Sequence, residues 1–354
     1  MTIDLASLGW DATLASALAA DPDLTPGRVT RADQGVCTVL TAAGVLRVSL
    51  GGGLLAAAGE DPVQLPCAGD WLGVRAWPDG RRTADLLLPR RTAVVRRTSD
   101  KAATGQVLAA NLDAAAVVEP MDPTPDLGRI ERLLALAWES GATPAVVLTK
   151  ADAVADPGAI VAQVADLAPG VAVHAVSARD GSGLDALRPL VAPGRTLGLL
   201  GPSGAGKSTL VNALAGVSAM EVQQVRRVDG KGRHTTTYRA LVPVAGGGAI
   251  VDTPGIRAVG MFDNADGVDR TFAEVVELVA QCRFADCGHA AEPGCAVRAA
   301  LESGDLSRRR FDSWRRLERE VAYEARRRDV RLAAAEKAKW KRVHREQRAH
   351  YRHR

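Results

Sequence analysis

Residues 201–208 have the sequence Gly-Pro-Ser-Gly-Ala-Gly-Lys-Ser, and this stretch decides the fold of the middle of the chain. It fits the pattern G-x-x-x-x-G-K-[ST], which a chain of this composition would rarely contain by chance. The apolar residues 195–200 before it predict a strand, and residues 208–215 after it predict a helix. A glycine-rich turn between a strand and a helix directs backbone N–H groups and the positive helix end toward one point. The stretch therefore predicts a phosphate-binding loop.

Two side chains of this loop are expected to have separate tasks. Lys207 should reach the β- and γ-phosphates of a nucleoside triphosphate and take part in catalysis, and the Ser208 hydroxyl should bind Mg²⁺. The loop residues predicted to contact the nucleotide are Gly201, Ser203, Gly204, Ala205, Gly206, Lys207, Ser208 and Thr209.

Strands and helices alternate on both sides of the loop. The predicted strands are 114–119, 145–148, 171–176, 238–244 and 249–252, with helices over 127–139 and 184–191. Several of these strands end in polar loops, as in a doubly wound α/β sheet, whose ligand lies beyond the carboxyl ends of its strands. We expect this nucleotide-binding domain to occupy residues 98–262.

The loops after two of these strands indicate which base is bound. Asp152, in Thr149-Lys-Ala-Asp152, can accept hydrogen bonds from N1–H and the 2-amino group of guanine, which adenine does not offer. Lys150 would lie along the base, and the N–H of Ala178, which follows Ser177, would meet guanine O6. The combination favours GTP and GDP over the alternative, a P-loop kinase or ATPase that uses ATP.

A further group of residues is expected around the metal and the γ-phosphate. Asp252 ends a strand and can hold Mg²⁺ through water, and Gly255 leaves its N–H free for the γ-phosphate. One of the three consecutive threonines Thr235, Thr236 and Thr237 should close over the metal when the γ-phosphate is present.

The group that activates water is harder to identify. Many fast GTPases have Gln directly after the Asp-x-x-Gly turn, but Ile256 stands there and cannot hydrogen-bond to water. The free protein is therefore expected to be slow. His234 lies beside the threonines and can accept a proton when neutral, so it is the catalytic candidate, with a structural or RNA-contacting role as the alternative.

The N-terminal part of the chain has a different pattern. Residues 1–25 form an Ala-rich lead, predicted as a short helix anchored by Trp10. Short apolar runs follow over residues 26–97, predicting strands at 28–31, 36–40, 45–50, 70–77 and 84–88 with turns between them, one at 51–53. Five strands at this spacing indicate an OB-like β-barrel, a fold that often binds oligonucleotides. A β-domain without a ligand is the alternative.

The cysteines suggest a metal. Three of the five are clustered in Cys282-x₄-Cys287-x-His289-x₅-Cys295, which supplies three thiolates and an imidazole, a complete tetrahedral Zn²⁺ shell. Four ligands leave no open position, so one structural ion is expected in a helical zinc-binding domain over residues 263–306. Free thiols in a reducing cytosol are the alternative.

The C-terminal tail, residues 307–354, has a strongly basic composition. It contains 15 Arg and 3 Lys against 7 acidic residues, a net charge of +11, whereas the whole chain carries +4. This asymmetry predicts a basic helix that meets a polyanion, RNA in preference to a membrane because no wide apolar face accompanies the charge. A solvated helix is the alternative. The N-terminus lacks a basic n-region and no run of about 18 apolar residues occurs, so a cytoplasmic protein is expected.

The order of the motifs carries a family resemblance. Guanine-binding loops normally follow the phosphate loop, but here they precede it, so the GTPase domain is circularly permuted. A permuted GTPase between an OB-like barrel and a Cys/His segment resembles the RsgA/YjeQ family of ribosome small-subunit-dependent GTPases. The matching phrases are Gly69-Asp-Trp71, Leu88-Pro-Arg-Arg91, Ala110-Asn-Leu-Asp113, Arg233-His-Thr-Thr-Thr237 and Cys282-Arg-Phe-Ala-Asp-Cys287. Thr149 departs from the usual Asn, whose contacts to guanine and the phosphate loop are lost or replaced.

The resemblance implies the small ribosomal subunit and its rRNA as partners, and late maturation of that subunit as the process. We therefore expect a monomeric GTP hydrolase stimulated by the subunit. A nucleotide-gated RNA-binding adaptor with negligible turnover is the alternative. Because of the permutation, residues 252–260 lead directly into the C-terminal segment.

Overall fold

The computed structural model describes residues 2–97, 105–216, 239–253 and 265–328, and the structural statements below concern these ranges. Contacts divide the chain into two compact units, residues 1–96 with 104–259 and residues 97–103 with 260–354. The first unit contains a barrel and an α/β sheet, and the second contains the Cys/His segment.

Five strands near the N-terminus form a closed barrel. They are β1 (Leu24–Asp33), β2 (Val36–Thr41), β3 (Gly44–Leu50), β4 (Trp71–Ala76) and β5 (Arg82–Leu87). Their order is β1-β2-β3-β5-β4, and β4 pairs with β1 to close the ring. Alternating apolar side chains, among them Val29, Val39, Val48 and Val74, fill the interior. The predicted five-stranded OB-like barrel is thereby confirmed.

One connection in the barrel differs from the expectation. Residues 51–53 predict a turn, but Gly51 is the N-cap of helix α2 (Gly52–Glu60), which follows β3. Glycine is a poor helix former, so local propensity does not predict a helix that begins within three consecutive glycines. Packing favours glycine at position 51, because a Cβ there would lie 2.6 Å from an Asp85 carboxylate oxygen and 3.0 Å from the Ala84 carbonyl oxygen.

The N-terminal lead contains the expected short helix, α1 (Ala12–Leu18), and packs within the first unit. The Trp10 ring lies 4.9 Å from that of Trp71 in the barrel. The carbonyl of Ser7 accepts hydrogen bonds from the N–H groups of Gly194 and Gly248 in the α/β sheet region, at 2.7 and 2.8 Å. The lead therefore contacts both folds of this unit.

A buried arginine joins the barrel to the sheet. Arg28 of β1 is fully buried, and its guanidinium lies 5.0 Å from the Trp71 ring centre. It donates to the carbonyls of Leu8 and Asn111 and, at 3.1 Å, to the hydroxyl of Thr196. Burial lowers the pKa of Arg28 to about 10. These hydrogen bonds offset part of the cost of removing the cation from water.

Three of the phrases that carry the family resemblance meet at this joint. Asn111 has a positive φ of 54°. Its amide donates to the Gly69 carbonyl at 3.1 Å and accepts from the Arg91 N–H at 2.9 Å. A Cβ on Gly69 would lie 2.1 Å from the Ala110 carbonyl oxygen. The joint thus explains structurally why these residue types occur together.

The α/β sheet has six strands. They are β8 (Ala114–Pro120), β9 (Thr143–Thr149), β10 (Ala172–Ala175), β11 (Thr196–Leu200), β12 (Ala240–Pro243) and β13 (Ala249–Asp252), and two shorter strands, β6 (Ala93–Arg97) and β7 (Gly105–Ala110), pair separately. The order is β10-β9-β8-β11-β13-β12, and β12 alone runs antiparallel to its neighbour. The helices of this region are α3 (Leu127–Glu139), α4 (Pro157–Leu167), α5 (Lys207–Ala215) and a 3₁₀ helix (Leu184–Val191).

Helices cover both faces of this sheet. Ala115 and Val117 of β8 belong to the apolar cluster that includes α3 and α4. Ala116 and Val118 of the same strand belong to the cluster that includes α5 and the 3₁₀ helix. Successive side chains of a strand point to opposite faces, so the predicted doubly wound arrangement is confirmed.

The described part of the second unit consists of helices and the irregular segment that contains the Cys/His cluster. Its helices are α6 (Ala265–Thr271), α7 (Ala273–Ala280), α8 (Ala296–Ser303) and α9 (Arg308–Arg328). Phe311, Trp314 and Leu317 of α9 are buried, as their helical spacing suggests. Arg310 of the same helix donates to Glu274 at 2.6 Å and lies over the ring of Phe272. The first turns of α9 therefore belong to the core of this unit.

Candidate nucleotide and metal sites

The predicted phosphate-binding loop connects β11 to α5, as expected. Gly201 follows the end of β11, and a Cβ there would lie 2.2 Å from the Val118 carbonyl oxygen. Gly204 and Gly206 have φ values of +83° and +87°, which side-chain-bearing residues rarely adopt. The glycine spacing of the pattern is therefore needed for the path of the loop.

Lys207 is the first residue of α5 and is buried against the loop. Its ammonium donates to the carbonyls of Gly201 and Pro202, both at 2.9 Å. Burial lowers the pKa of Lys207, and the charge of Asp252 partly opposes this shift. The cation thus lies across the loop in which phosphates are expected.

Two oxygen donors lie side by side next to Lys207. The Ser208 hydroxyl donates to a carboxylate oxygen of Asp252 at 3.0 Å. Asp252 ends β13, and the following Thr253 hydroxyl donates to the Leu199 carbonyl of β11 at 2.6 Å, which fixes this strand end. A hydroxyl and a carboxylate are hard donors that suit Mg²⁺, so this pair fits the ion.

Thr149 replaces one of the contacts expected of Asn. It ends β9 and is buried, and its hydroxyl donates to the Ala205 carbonyl in the phosphate loop at 2.7 Å. Strand β8 lies between β9 and β11, so this bond crosses the end of β8. The loop after β9 is therefore still joined to the phosphate loop, but through a threonine hydroxyl instead of an asparagine side chain.

Lys150 and Asp152 lie directly after β9. Lys150 has a positive φ of 59°, and its ammonium donates to the Asp122 carbonyl at 2.9 Å. A carboxylate oxygen of Asp152 lies 3.8 Å from the guanidinium of Arg179, which is 88% exposed. Sequence reasoning missed Arg179 and Asp122, although Arg179 directly follows the predicted residue Ala178.

The loop after β10 approaches the same edge of the sheet. Ser177 is buried, and its hydroxyl accepts from the N–H groups of Arg179 and Asp180 at 3.2 and 3.4 Å. The Ala151 N–H donates to the Val176 carbonyl, which joins this loop to the one containing Asp152. The structure therefore brings the two predicted base-binding loops together.

Several predicted residues lie outside the described ranges. They are His234, Thr235, Thr236, Thr237, Gly255 and Ile256, and their roles stay predictions. The same applies to residues 329–354 of the basic tail.

The Cys/His cluster forms a compact donor set in the second unit. The ligand atoms of Cys282, Cys287, His289 and Cys295 all lie within 4.8 Å of one another. The His289 Nδ1 atom is 3.6 Å from the sulfur atoms of Cys282 and Cys295, which are themselves 3.9 Å apart. Ideal tetrahedral coordination of Zn²⁺ requires separations of about 3.6 Å for S and N and about 3.8 Å for two sulfurs. The separations among Cys282, His289 and Cys295 match these values, and Cys287 lies within 4.8 Å of the other donors, so the composition and grouping of the set suit zinc.

The surroundings hold these ligands in place. The Cys295 sulfur accepts from the Arg298 N–H at the start of α8. The Glu292 carboxylate accepts from its own backbone N–H and from those of Gly288, Ala290 and Ala291, and these bonds lower the pKa of Glu292 to about 2. Burial lowers the pKa of His289, which favours the neutral imidazole that binds metals. Its ring packs at 6.0 Å against Phe311 of α9.

Comparisons with known proteins agree with this geometry. Residues 87–262 match the family described as RsgA GTPase. The chain is 52% identical over 344 residues to the small ribosomal subunit biogenesis GTPase RsgA of Streptomyces coelicolor, covering 96% of this chain and 92% of the relative. The chain belongs to the RsgA family. It is 49% identical over 343 residues to the protein of that name from Streptomyces avermitilis, covering 96% of this chain and 91% of the relative.

Two solved structures share the fold. The crystal structure of YjeQ from Thermotoga maritima has a TM-score of 0.60 at 23% identity, over 84% of this chain and 98% of that one. YloQ, described as a circularly permuted GTPase, has a TM-score of 0.57 at 22% identity, over 84% and 95% of the two chains. The predicted circular permutation is therefore confirmed.

Family membership establishes the reaction class. As an RsgA-family protein the chain is a GTPase, so a guanine nucleotide and Mg²⁺ are its implied ligands. Within the described ranges, no helix has both the length and the apolar character needed to cross a membrane.

Proposed function

We propose that this chain hydrolyses GTP while bound to the small ribosomal subunit through its rRNA, that the subunit stimulates hydrolysis, and that the process served is late maturation of that subunit. The observation that carries the proposal is the convergence of the Thr149, Ser177, Lys207 and Asp252 loops at one edge of a single sheet. The relatives named as small ribosomal subunit biogenesis GTPases supply the partner. A cytoplasmic location and a monomeric state belong to the same proposal.

Guanine recognition is assigned to the two loops after β9 and β10. Asp152 accepts from the guanine N1–H and 2-amino groups, and the Ala178 N–H donates to O6. The buried Ser177 hydroxyl supports this proposal because it holds the turn that contains Ala178. Thr149 holds the phosphate loop through its hydrogen bond to the Ala205 carbonyl, and the base contacts are made by Asp152 and Ala178.

Phosphate binding is assigned to the loop after β11. Gly201, Ser203, Gly204, Ala205, Gly206 and Thr209 would approach the phosphates with Lys207 and Ser208. The ammonium of Lys207 leaves the carbonyls of Gly201 and Pro202 and neutralises charge on the β- and γ-phosphates. Ser208 and Asp252 would hold Mg²⁺, which supplies electrostatic stabilisation of the transferring phosphoryl group when bound.

The Cys/His cluster is proposed to bind one structural zinc ion. All four donors are provided by the chain, so no coordination position remains for a substrate. His289 packs on Phe311 and Trp314, so the ion would stabilise the start of α9 as well as the loop around it.

Contact with rRNA is assigned in part to α9. Its buried side carries Phe311, Trp314 and Leu317, whereas Arg308, Arg316 and Arg319 are exposed. The exposed side also carries Asp312, which pairs with Arg308, and Glu318, so Arg316 and Arg319 are the cations assigned to the phosphate backbone.

The experiment that tests the proposal is GTP hydrolysis with and without purified small ribosomal subunits. We expect slow turnover by the free protein and a large increase with small subunits, and large subunits serve as the matched control. Lys207→Ala should abolish the stimulated rate. Subunit binding that depends on GTP without increased hydrolysis would favour the RNA-binding adaptor with negligible turnover.

A further inference from the structure

The side chain that ends β9 is turned toward the phosphate loop. Thr149 is 5% exposed, and its hydroxyl donates to the Ala205 carbonyl at 2.7 Å. A Cβ added to Gly206 would lie 3.5 Å from the same hydroxyl oxygen and 3.7 and 3.8 Å from the Cβ and Cγ2 atoms of Thr149. The threonine therefore packs directly on the loop, and its hydroxyl is fixed by a contact within the protein.

This contact uses the whole donor capacity of the side chain. A hydroxyl has one O–H donor and two acceptor lone pairs. Because the proton of Thr149 points to the Ala205 carbonyl, the oxygen presents only lone pairs to a ligand. The ammonium of the neighbouring Lys150 donates to the Asp122 carbonyl at 2.9 Å, in the loop after β8. The side chain of Thr149 thus has no proton left to donate to a nucleobase.

Asparagine, the usual residue at this position in GTPases, has a different number of donors. Its amide carries two N–H donors and a carbonyl acceptor. One N–H can donate to the carbonyl of the phosphate loop while the other remains for the base. A threonine can replace the first of these contacts but has no proton for the second.

The contact that is lost concerns one particular atom of guanine. Guanine has acceptors at O6 and N7 and donors at N1–H and the 2-amino group. The two donors are assigned to Asp152, and O6 is assigned to the Ala178 N–H. The acceptor that remains is N7, and the Thr149 oxygen can offer it only further lone pairs.

We propose that this chain binds guanine without a hydrogen bond to N7, so that guanine nucleotides in which a C–H replaces N7 are ligands as good as GTP and GDP. The N1–H, 2-amino and O6 groups are unchanged in such 7-deazaguanine nucleotides. An N7 atom that enters the site gives up its hydrogen bond to water and receives none from Thr149, so it adds nothing to affinity. The inference rests on the proposed function in placing guanine between the loops after β9 and β10.

The test is titration calorimetry of the full chain with GDP and with 7-deaza-GDP. We expect equal Kd values for the wild type. Thr149→Val also lacks a donor for the base, so it should raise both Kd values together and leave their ratio unchanged. Thr149→Asn supplies a second N–H, so it should bind GDP about fivefold more tightly than 7-deaza-GDP, as for one neutral hydrogen bond.

Two results would overturn the inference. They are binding of 7-deaza-GDP by the wild type about fivefold or more weaker than binding of GDP, and an unchanged ratio of the two Kd values in Thr149→Asn. Thermal unfolding controls for the fold of each variant, and the wild-type ratio needs no variant. Inosine diphosphate, which lacks the 2-amino group, tests the proposed function separately: binding as tight as that of GDP would reject guanine recognition by Asp152, whereas the comparison at position 7 concerns Thr149 alone.

Discussion

Replacing Thr149 by Val should weaken nucleotide binding without changing the fold. Valine has nearly the same shape, and the side chain is buried, so the substitution removes only the hydroxyl that donates to the Ala205 carbonyl at 2.7 Å. A neutral hydrogen bond of this kind contributes about 1 kcal/mol net, which corresponds to a factor of about five in affinity. The loss falls on nucleotide binding because the bond holds the phosphate loop in place before the ligand arrives.

The assay is titration calorimetry with GDP and with a GTP analogue that is not hydrolysed. We expect Thr149→Val to raise the Kd for both about fivefold, while Thr149→Ser, which keeps the hydroxyl, stays close to the wild type. Thermal unfolding of the nucleotide-free variants controls for damage to the sheet. Equal Kd values for Val and Ser would refute the reasoning, since the hydroxyl would then have no part in ordering the loop.

Four other outcomes are expected. Asp152→Asn should lose GTP and gain xanthosine triphosphate, whose 2-oxo group accepts from the new amide; unchanged GTP affinity in a competition assay would remove the case for guanine. Cys287→Ala should bring zinc content, measured by atomic absorption, toward zero and increase hydrogen exchange over residues 270–306, and a wild type purified without chelators that lacks zinc would contradict this. Deleting residues 326–354 should weaken RNA binding and flatten its salt dependence, and an unaltered slope would favour the solvated helix. His234→Ala should lower subunit-stimulated turnover roughly 10²-fold with nucleotide and subunit binding retained, so survival of stimulated hydrolysis would exclude a role in proton transfer.

The sequence predicted best those elements whose local pattern of residues is compatible with only one structure. Gly201–Ser208 could be placed between a strand and a helix because the glycines are required by the loop itself. The Cys/His spacing likewise predicted a four-donor set that the structure brings together. In both cases the residues that determine the geometry are neighbours in the chain.

The features that the sequence did not predict depend on contacts between distant segments. The hydrogen bond from Thr149 to Ala205 can form because β9 and β11 lie on either side of the single strand β8, so the loops that follow them are close together. Helix α2 begins at glycines that local propensity assigns to a turn. An arginine in a strand is expected at the protein surface, but Arg28 is buried against the sheet that begins more than 80 residues later. Contacts of this kind can be identified only once the packing of the barrel against the sheet is known.

The strand order of the sheet has a consequence for synthesis of the protein. The chain grows from its N-terminus, so β8, β9 and β10, with the loops assigned to guanine, leave the translating ribosome before β11, β12 and β13. Strand β11 pairs with β8 on one side and with β13 on the other, so it joins the two halves of the sheet. Asp252, at the end of β13, completes the nucleotide site late in translation. A nascent chain therefore cannot bind nucleotide through both halves of the site until most of its length has been made.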